Sequence, residues 1–311
     1  MLTLRQLQCL VAVADALHFR RAAERLRLSQ PALSAQIAQM EEHLGTLLVE
    51  RTRRRVLMTP VGREVAERAR AVLRDVAELE EAAHQSGEPL SGTLRLGVLR
   101  TLGPYLLPHI LPEMRQRYPE LKLYLREEPG ERLLAELGSG DLDMVIVADA
   151  PRDDGHLTVV PLFHEPLWAA LPLGHPLAAR QTLSRDELAA ERMILLELGD
   201  GLREPAMALA AEHPDFRATS LDSLRQMVAM GLGATLLPAL YVAAEALDDD
   251  QIAMRPLTTP APGRAIDLVW RRTTSRSDEF RLFAGLITEN LPAVVDAPTL
   301  PPRATGSGRT G

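Results

Sequence analysis

The chain has 311 residues, of which 46% are apolar, and its formal net charge at pH 7 is −7. This length exceeds the roughly 100–200 residues of a single domain, so we expect more than one. No run of about 18 apolar residues predicts a transmembrane helix, and the first ten residues lack the apolar core of a signal peptide. We therefore expect a cytoplasmic protein.

The distribution of charge and the absence of reactive motifs further limit the classes of protein to which the chain can belong. Residues 1–58 carry nine arginines and five acidic residues, whereas residues 88–311 carry 22 basic and 31 acidic residues. A basic N-terminal segment on an acidic body favours nucleic acid as a partner, although chance clustering would look the same. Cys9 is the sole cysteine, which excludes an intrachain disulfide. Since no Cys/His cluster, phosphate-binding loop or nucleophile motif occurs, we predict no metal, no cofactor and no enzymatic activity.

Residues 18–51 predict two helices joined by a tight turn. Ser29 can cap the second helix, and Pro31 falls in its first turn, where a missing N–H is tolerated. One face carries an apolar stripe consisting of Leu33, Ile37, Met40 and Leu44. Small and amide side chains on and beside the other face are the predicted base contacts, namely Gln30, Pro31, Ala32, Ser34, Ala35 and Gln36. Such a face fits the major groove of DNA.

An arginine-rich segment follows this helix pair. Two short apolar runs flank Arg51, Arg53, Arg54 and Arg55, a pattern typical of a β-ribbon whose tip contacts phosphate. We expect Arg51, Arg53 and Arg54 to make these contacts. A helical hairpin in an ordinary core would also explain the helices, but it would not explain this wing.

A long helix is predicted over residues 59–87. Apolar residues recur along it at spacings of three and four, namely Val61, Val65, Ala69, Val72, Val76, Leu79 and Ala83. This heptad-like seam predicts a dimeric coiled coil, and a lone surface helix is the alternative.

Strand and helix patterns alternate from residue 91 to residue 291, which predicts an α/β domain with parallel strands and helices on both faces. The strand at 158–172 is expected to cross to a second lobe, built in part from a strand at 193–198 and a helix near 203–212. A strand at 265–271 is expected to return to the first lobe. Residues 292–311 are rich in Pro, Ala, Gly and Thr, which predicts a disordered tail.

Several motifs together resemble those of LysR-type transcriptional regulators. They are LRQL at 4–7, RAAERL at 21–26, LSQPALSAQI at 28–37 and TPVG at 59–62. Further segments, HFRRAA at 18–23, TLGPYLLPHILP at 101–112 and LREPAM at 202–207, are similar to the peroxide-responsive OxyR branch. The resemblance implies a winged helix-turn-helix domain (1–58), a linker helix (59–87) and a two-lobed effector domain like the periplasmic binding proteins (91–291). It also implies double-stranded DNA, RNA polymerase and further copies of the chain, in a dimer or tetramer, as partners.

A small effector is expected between the lobes. Ligands of open α/β sheets bind beyond the carboxyl ends of strands, which points to Thr101, although Thr101 could simply cap a helix. Arg271 could reach the same cleft, although a structural ion pair would explain it equally well. With the resemblance, the predicted effector contacts are Thr101, Gly130, Asp200, Gly201, Arg203, Ser220 and Arg271. The arginines and the helix N-terminus predict a polar or anionic ligand.

The sequence departs from the OxyR pattern at the positions that carry the redox chemistry of that branch. The resemblance places the reactive cysteine at Gly201, preceded by a histidine at Asp200, and the resolving cysteine near Ala210. Glycine and alanine cannot attack peroxide, and Cys9 is better explained as a small apolar residue of the first helix. We therefore expect control by a ligand rather than by a thiol–disulfide switch. A regulator that senses oxidant through another residue, a repressor without effector, and a solute-binding protein with a helical appendage are the alternatives.

Overall fold

The computed structural model describes residues 1–51, 56–84, 89–197, 200–246, 251–258 and 260–295. The chain divides into two compact units: one comprises Met1–Glu88 with Gly138–Asp141, and the other comprises Pro89–Leu137 with Leu142–Gly311. Within the described residues, no helix combines the length and apolarity needed to cross a membrane.

The first unit contains three helices, a two-stranded wing and a long fourth helix. They are α1 (Leu4–Ala16), α2 (Phe19–Arg25), α3 (Gln30–Leu44), β1 (Val49–Arg51), β2 (Val56–Met58) and α4 (Pro60–His84). The helix starts follow local chemistry: Thr3 forms a capping box with Gln6, and the Ser29 hydroxyl accepts the amide of Ala32. Gly45 ends α3 at φ +67°, a conformation that glycine adopts without strain.

The second unit alternates strands with helices. Its strands are β3 (Gly92–Leu99), β4 (Leu121–Glu128), β5 (Met144–Ala148), β6 (Leu157–Pro172), β7 (Arg192–Leu196), β8 (Ala211–Ala218), β9 (Thr235–Pro238), β10 (Ile252–Pro256) and β11 (Gly263–Arg271). Its helices are α5 (Gly103–Arg117), α6 (Gly130–Ser139), α7 (Arg185–Leu188), α8 (Arg203–Met207), α9 (Leu221–Ala229), α10 (Ala239–Tyr241) and α11 (Ser277–Glu289). A 3₁₀ turn (Pro176–Ala179) and a π-helical turn (Val242–Ala246) complete the described elements.

Two hydrophobic cores define two lobes, and two strands connect them. The first core gathers β3, β5 and the first half of β6 with α5 and α11, and the second gathers the end of β6 with β7, β9 and β10. Strand β6 pairs with β11 through its first half and with β9 and β10 through its second half. Strand β11 brings the chain back into the first sheet, between β5 and β6. The two-lobed α/β architecture expected from the sequence is therefore confirmed.

Three details differ from the expectations. Strands β3, β4 and β5 are parallel, but β11 is antiparallel to β5, because the chain returns from the second lobe and enters the sheet at the opposite end. The helix expected near 203–212 ends at Met207, and strand β8 occupies Ala211–Ala218. Leu44, expected in the buried stripe of α3, is 37% exposed. The expected disorder of the tail falls largely on residues 296–311, outside the described residues.

Candidate functional site

The exposed face of α3 carries the side chains expected to contact bases. Leu33, Ile37 and Met40 are fully buried, which fixes the rotation of the helix. Six residues at and near the N-terminal end then face outward or lie at the edges: Gln30, Pro31, Ala32 and Ala35 are exposed, and Ser34 and Gln36 are half-buried. The face is slim and holds no carboxylate, so it can approach the acceptor-rich edges of base pairs.

The wing is fastened to α3 by a carboxylate. Glu41 Oε1 accepts the amides of Leu48 and Val49 at 2.8 and 3.0 Å. The Glu41 carboxylate is therefore hydrogen-bonded to the backbone at the start of β1. Strands β1 and β2 pair in antiparallel register, with Arg51 opposite Val56. Arg53 and Arg54, expected to contact phosphate, lie outside the described residues.

The apolar side chains of helix α4 lie in two different environments along its length. Ala66 and Ala69 are buried in the core of the first unit, and Val65 packs against that core. Val72 and Leu79 are 43% and 70% exposed. The predicted seam is thus divided: Val65 and Ala69 pack within the chain, whereas Val61, Val72 and Leu79 have their apolar surface open to solvent.

A cleft of about 690 Å³ lies in the second unit, at the carboxyl ends of β3 and β5. The first lobe contributes Leu99, Pro129, Gly130, Glu131, Leu134, Val147, Ala148 and Asp149, and the second lobe contributes Glu197, Asp200, Gly201, Arg203 and Glu204. Four of the predicted effector contacts, Gly130, Asp200, Gly201 and Arg203, thus meet in one cleft between the lobes.

The segment from Asp200 to Gly201 lies directly on the first lobe. Both residues adopt the left-handed conformation, with φ of 44° and 72°. A Cβ atom on Gly201 would lie 2.6 Å from the Cβ atom of Ala148 and 3.0 Å from Asp149 Oδ2. The position that the resemblance assigns to a reactive cysteine is therefore closed to any side chain unless the lobes shift.

Beneath the cleft floor, Arg264 and Glu165 form a fully buried ion pair at 2.8 Å. The guanidinium Nη1 of Arg264 donates to Thr101 Oγ1 and to the carbonyl of Asp200, both at 2.8 Å, and Nη2 donates to the carbonyl of Thr101 at 3.1 Å. Glu165 Oε1 accepts the amide of Leu240 at 3.1 Å. Thr101, whose hydroxyl was expected to contact a ligand, is 94% buried. This hydroxyl is hydrogen-bonded within the network.

The carboxylate of Asp200 bridges the lobes. Its Oδ1 accepts the amide of Gly130 at 3.4 Å, and its Oδ2 lies 3.5 Å from Thr101 Oγ1. Burial raises the pKa of this carboxyl above its ordinary value, although the Gly130 amide, Arg264 and Arg100 act in the opposite direction. Ionised Asp200 is therefore poorly solvated, and it would gain from a positive or hydrogen-bond-donating group in the cleft.

The two arginines expected to bind an anion are already engaged. Arg203 makes a bidentate pair with Glu212 at 2.7 and 3.2 Å, and the hydrogen bonds from Arg203 lower the pKa of Glu212. Arg271 donates to the carbonyls of Leu137 and Leu142 at 2.7 Å. Because β11 is antiparallel to β5, Arg271 lies at the far end of the sheet, and its placement at the cleft was wrong.

Ser220 is also absent from the cleft lining among the described residues. It caps α9 and accepts the amide of Ser223 at 3.2 Å.

The lining of the cleft is negative. Five acidic residues face it, namely Glu131, Asp149, Glu197, Asp200 and Glu204. Among the described residues, Glu131, Glu197 and Glu204 have no ion-pair partner, whereas Arg203 pairs with Glu212, a carboxylate that also contacts Arg217. An anionic ligand, as expected from the sequence, would be repelled here. No group of these residues has metal-binding geometry within the described part of the chain.

Sequence reasoning missed Arg264 and Glu165. Glu165 lies inside the strand predicted at 158–172, and Arg264 directly precedes the strand predicted at 265–271, so a charge in or beside a buried strand was the available signal. Fully buried charges require partners, but their partners here lie 64 to 163 positions away in the sequence.

Known proteins match both units. Residues 4–63 match the family "Bacterial regulatory helix-turn-helix protein, lysR family", and residues 87–292 match "LysR substrate binding domain". The chain is 46% identical to the "DNA-binding transcriptional dual regulator OxyR" of Escherichia coli strain K12 over 275 residues, which cover 87% of this chain and 90% of that protein. It is 43% identical to the "Hydrogen peroxide-inducible genes activator" of Pectobacterium carotovorum, covering 93% and 97% of the two chains. A solved full-length OxyR variant from Pseudomonas aeruginosa superposes with a TM-score of 0.79 at 32% identity, covering 97% of this chain and 99% of that chain.

Proposed function

Because this chain belongs to the LysR family of DNA-binding transcription regulators and is OxyR-like, we propose that α3 contacts base edges, that the wing contacts phosphate, and that a small molecule in the inter-lobe cleft controls the regulator. The exposed, carboxylate-free face of α3 is the observation that carries the first part. Gln30 and Ser34 offer an amide and a hydroxyl to base edges, and the side chains of Pro31, Ala32 and Ala35 are small enough to leave the groove accessible.

The contributions of the wing and of helix α3 to DNA binding can be separated by their dependence on salt concentration. Arg53→Ala or Arg54→Ala removes a phosphate contact, so affinity for all duplexes should fall, and the slope of log K against log salt should flatten by about 0.9 per lost contact. Gln30→Ala or Ser34→Ala should instead reduce the preference for the operator over random duplex by about 1–3 kcal/mol. Fluorescence titrations of the full chain at several salt concentrations measure both. Undiminished affinity and slope for both arginine variants would exclude the wing as the phosphate contact.

Control by a ligand rather than by a thiol rests on the volume and the lining of the cleft. A cleft of about 690 Å³ has the size of a small-molecule site. Its acidic residues favour a cationic or neutral polar ligand, which also compensates the poorly solvated Asp200. An open cleft of this size speaks against a repressor that has no effector.

Small-molecule binding to the full chain can be measured by thermal shift with sets of amines, neutral polar compounds and carboxylates. We expect stabilisation from compounds of the first two sets. Glu131→Gln with Glu204→Gln should weaken an amine at least tenfold, whereas Glu113→Gln, in α5 and outside the cleft lining, should not. Stabilisation by carboxylates alone would contradict the proposed ligand class.

The proposed assembly is a dimer or tetramer that acts on RNA polymerase at a promoter. The exposed Val72 and Leu79 on α4 support pairing of two chains. We also propose that the DNA-binding domain ends at residue 58, the linker helix at residue 87 and the effector domain at residue 291.

A further inference from the structure

The buried Arg264–Glu165 pair lies where the two lobes are joined. Arg264 is the second residue of β11, and Glu165 lies opposite it on β6. These are the two strands that connect the lobes. Both side chains have 0% exposure. A buried ion pair is weak evidence for a stabilising role, because desolvation of both charges offsets their attraction.

The acceptors of Arg264 come from both lobes. Thr101 follows β3 in the first lobe, and Asp200 follows β7 in the second. Arg264 Nε donates to Glu165 Oε2, and Nη2 lies 2.8 Å from the same oxygen, so each nitrogen of the guanidinium has an acceptor within 3.1 Å. Glu165 in turn accepts the amide of Leu240 in α10, a residue whose side chain packs in the first core.

We propose that Arg264 is a positioning residue that couples the two cleft loops, so that movement of the Thr101 loop in one lobe displaces the Asp200 segment in the other. The guanidinium is planar and its donors are fixed relative to one another. The two loops therefore cannot move independently without breaking at least one charge-assisted hydrogen bond in a water-free site. The coupling is built from this chain's own residues, and it requires neither a ligand nor a thiol.

Amide hydrogen exchange of the full chain tests the coupling, since exchange reports local opening. Thr101→Val removes one acceptor of Arg264 in the first lobe with little change of volume. Because Thr101 Oγ1 also lies 3.5 Å from Asp200 Oδ2, the change is compared in the native chain and in Asp200→Gly, which lacks that direct contact but keeps the backbone carbonyl that Arg264 binds. We expect exchange to rise about tenfold at residues 200–203 in the second lobe, because a hydrogen bond to a charged group is lost. Thr288→Val is the control: it removes a hydroxyl that bonds the Gly285 carbonyl within α11, and residues 200–203 should not respond.

Arg264→Lys provides the second arm. Lysine keeps a positive charge beside Glu165 but loses the fork, so exchange should rise at both 101–103 and 200–203. Its control is Arg276→Lys, because Arg276 is also buried and binds Glu279 and the carbonyls of Ser91 and Thr93, all in the first lobe. If Arg264→Lys does not fold, Thr101→Val decides the question. Faster exchange confined to the first lobe in Thr101→Val would overturn the coupling, whatever the outcome of the DNA and ligand experiments.

Discussion

Gly201 illustrates how one missing side chain can set the distance between two lobes. Its left-handed backbone and the 2.6 Å approach to Ala148 are separate constraints, and each excludes a side chain for its own reason. The first is a local backbone preference, and the second arises because a segment of one lobe lies on the end of a strand of the other. Gly231 has a similar φ of 77° with nothing near its Cβ position, so the molecule contains its own control.

We expect Gly201→Ala to destabilise the protein more than Gly231→Ala. Both changes should cost about 1–2 kcal/mol for a left-handed alanine. Gly201→Ala should cost a further 1–3 kcal/mol or so, because the methyl group overpacks against Ala148. Denaturant unfolding of both variants measures the difference, and equal losses would mean that the lobes yield freely at this contact.

Among the secondary-structure elements, helix α4 combines two roles, although its sequence shows a single apolar seam. Val65 and Ala69 serve the core of the first unit, whereas Val72 and Leu79 are available to another chain. One apolar stripe can serve two partners along its length, because the spacing does not state which part packs within the chain and which part meets another chain.

Val72→Asp combined with Leu79→Asp should dissociate the proposed dimer, since the like charges would be buried against each other. Val72→Leu combined with Leu79→Ile keeps both positions apolar and serves as the control. Sedimentation velocity of the full chain should show a smaller species for the aspartate variant. A wild-type sedimentation coefficient for that variant would place the dimer contact elsewhere.

The helices and strands were predictable from the sequence because the spacing of their apolar residues is a local property. The part of the site that directly follows a single strand was predictable as well. Asp200 and Gly201 could be assigned to the cleft because they follow a strand and match a family segment. Arg271 could not be placed, because the direction of β11 depends on where the chain re-enters the sheet, which no local pattern records. Arg264 was missed for the same reason: its partners are assembled by the tertiary fold.

For the molecule as a whole, the absence of sulfur at the cleft has a direct consequence for signalling. Cys9 is fully buried in α1, and burial raises the pKa of its thiol, which keeps it in the unreactive protonated form. The exposed Met207 and Met230 can be oxidised, but without the rate or selectivity of a thiolate.

We therefore expect micromolar peroxide to leave the DNA footprint of the full chain unchanged, for the native protein and for Cys9→Ser alike. Footprinting before and after brief peroxide treatment measures this. A change in the native protein that Cys9→Ser abolishes would identify Cys9 as the sensor.

The position of β11 between β5 and β6 also has a consequence for biosynthesis. Strand β11 begins at Gly263, about 90 residues after β6 ends at Pro172. At a translation rate of about 5–20 residues per second, roughly 5–20 s separate the two strands as they leave the ribosome. During that interval the facing edges of β5 and β6 lack their partner, and an unpaired strand edge can recruit other chains. A nascent chain of this protein is therefore most exposed to misassembly, and most dependent on chaperones, while its second lobe is being made.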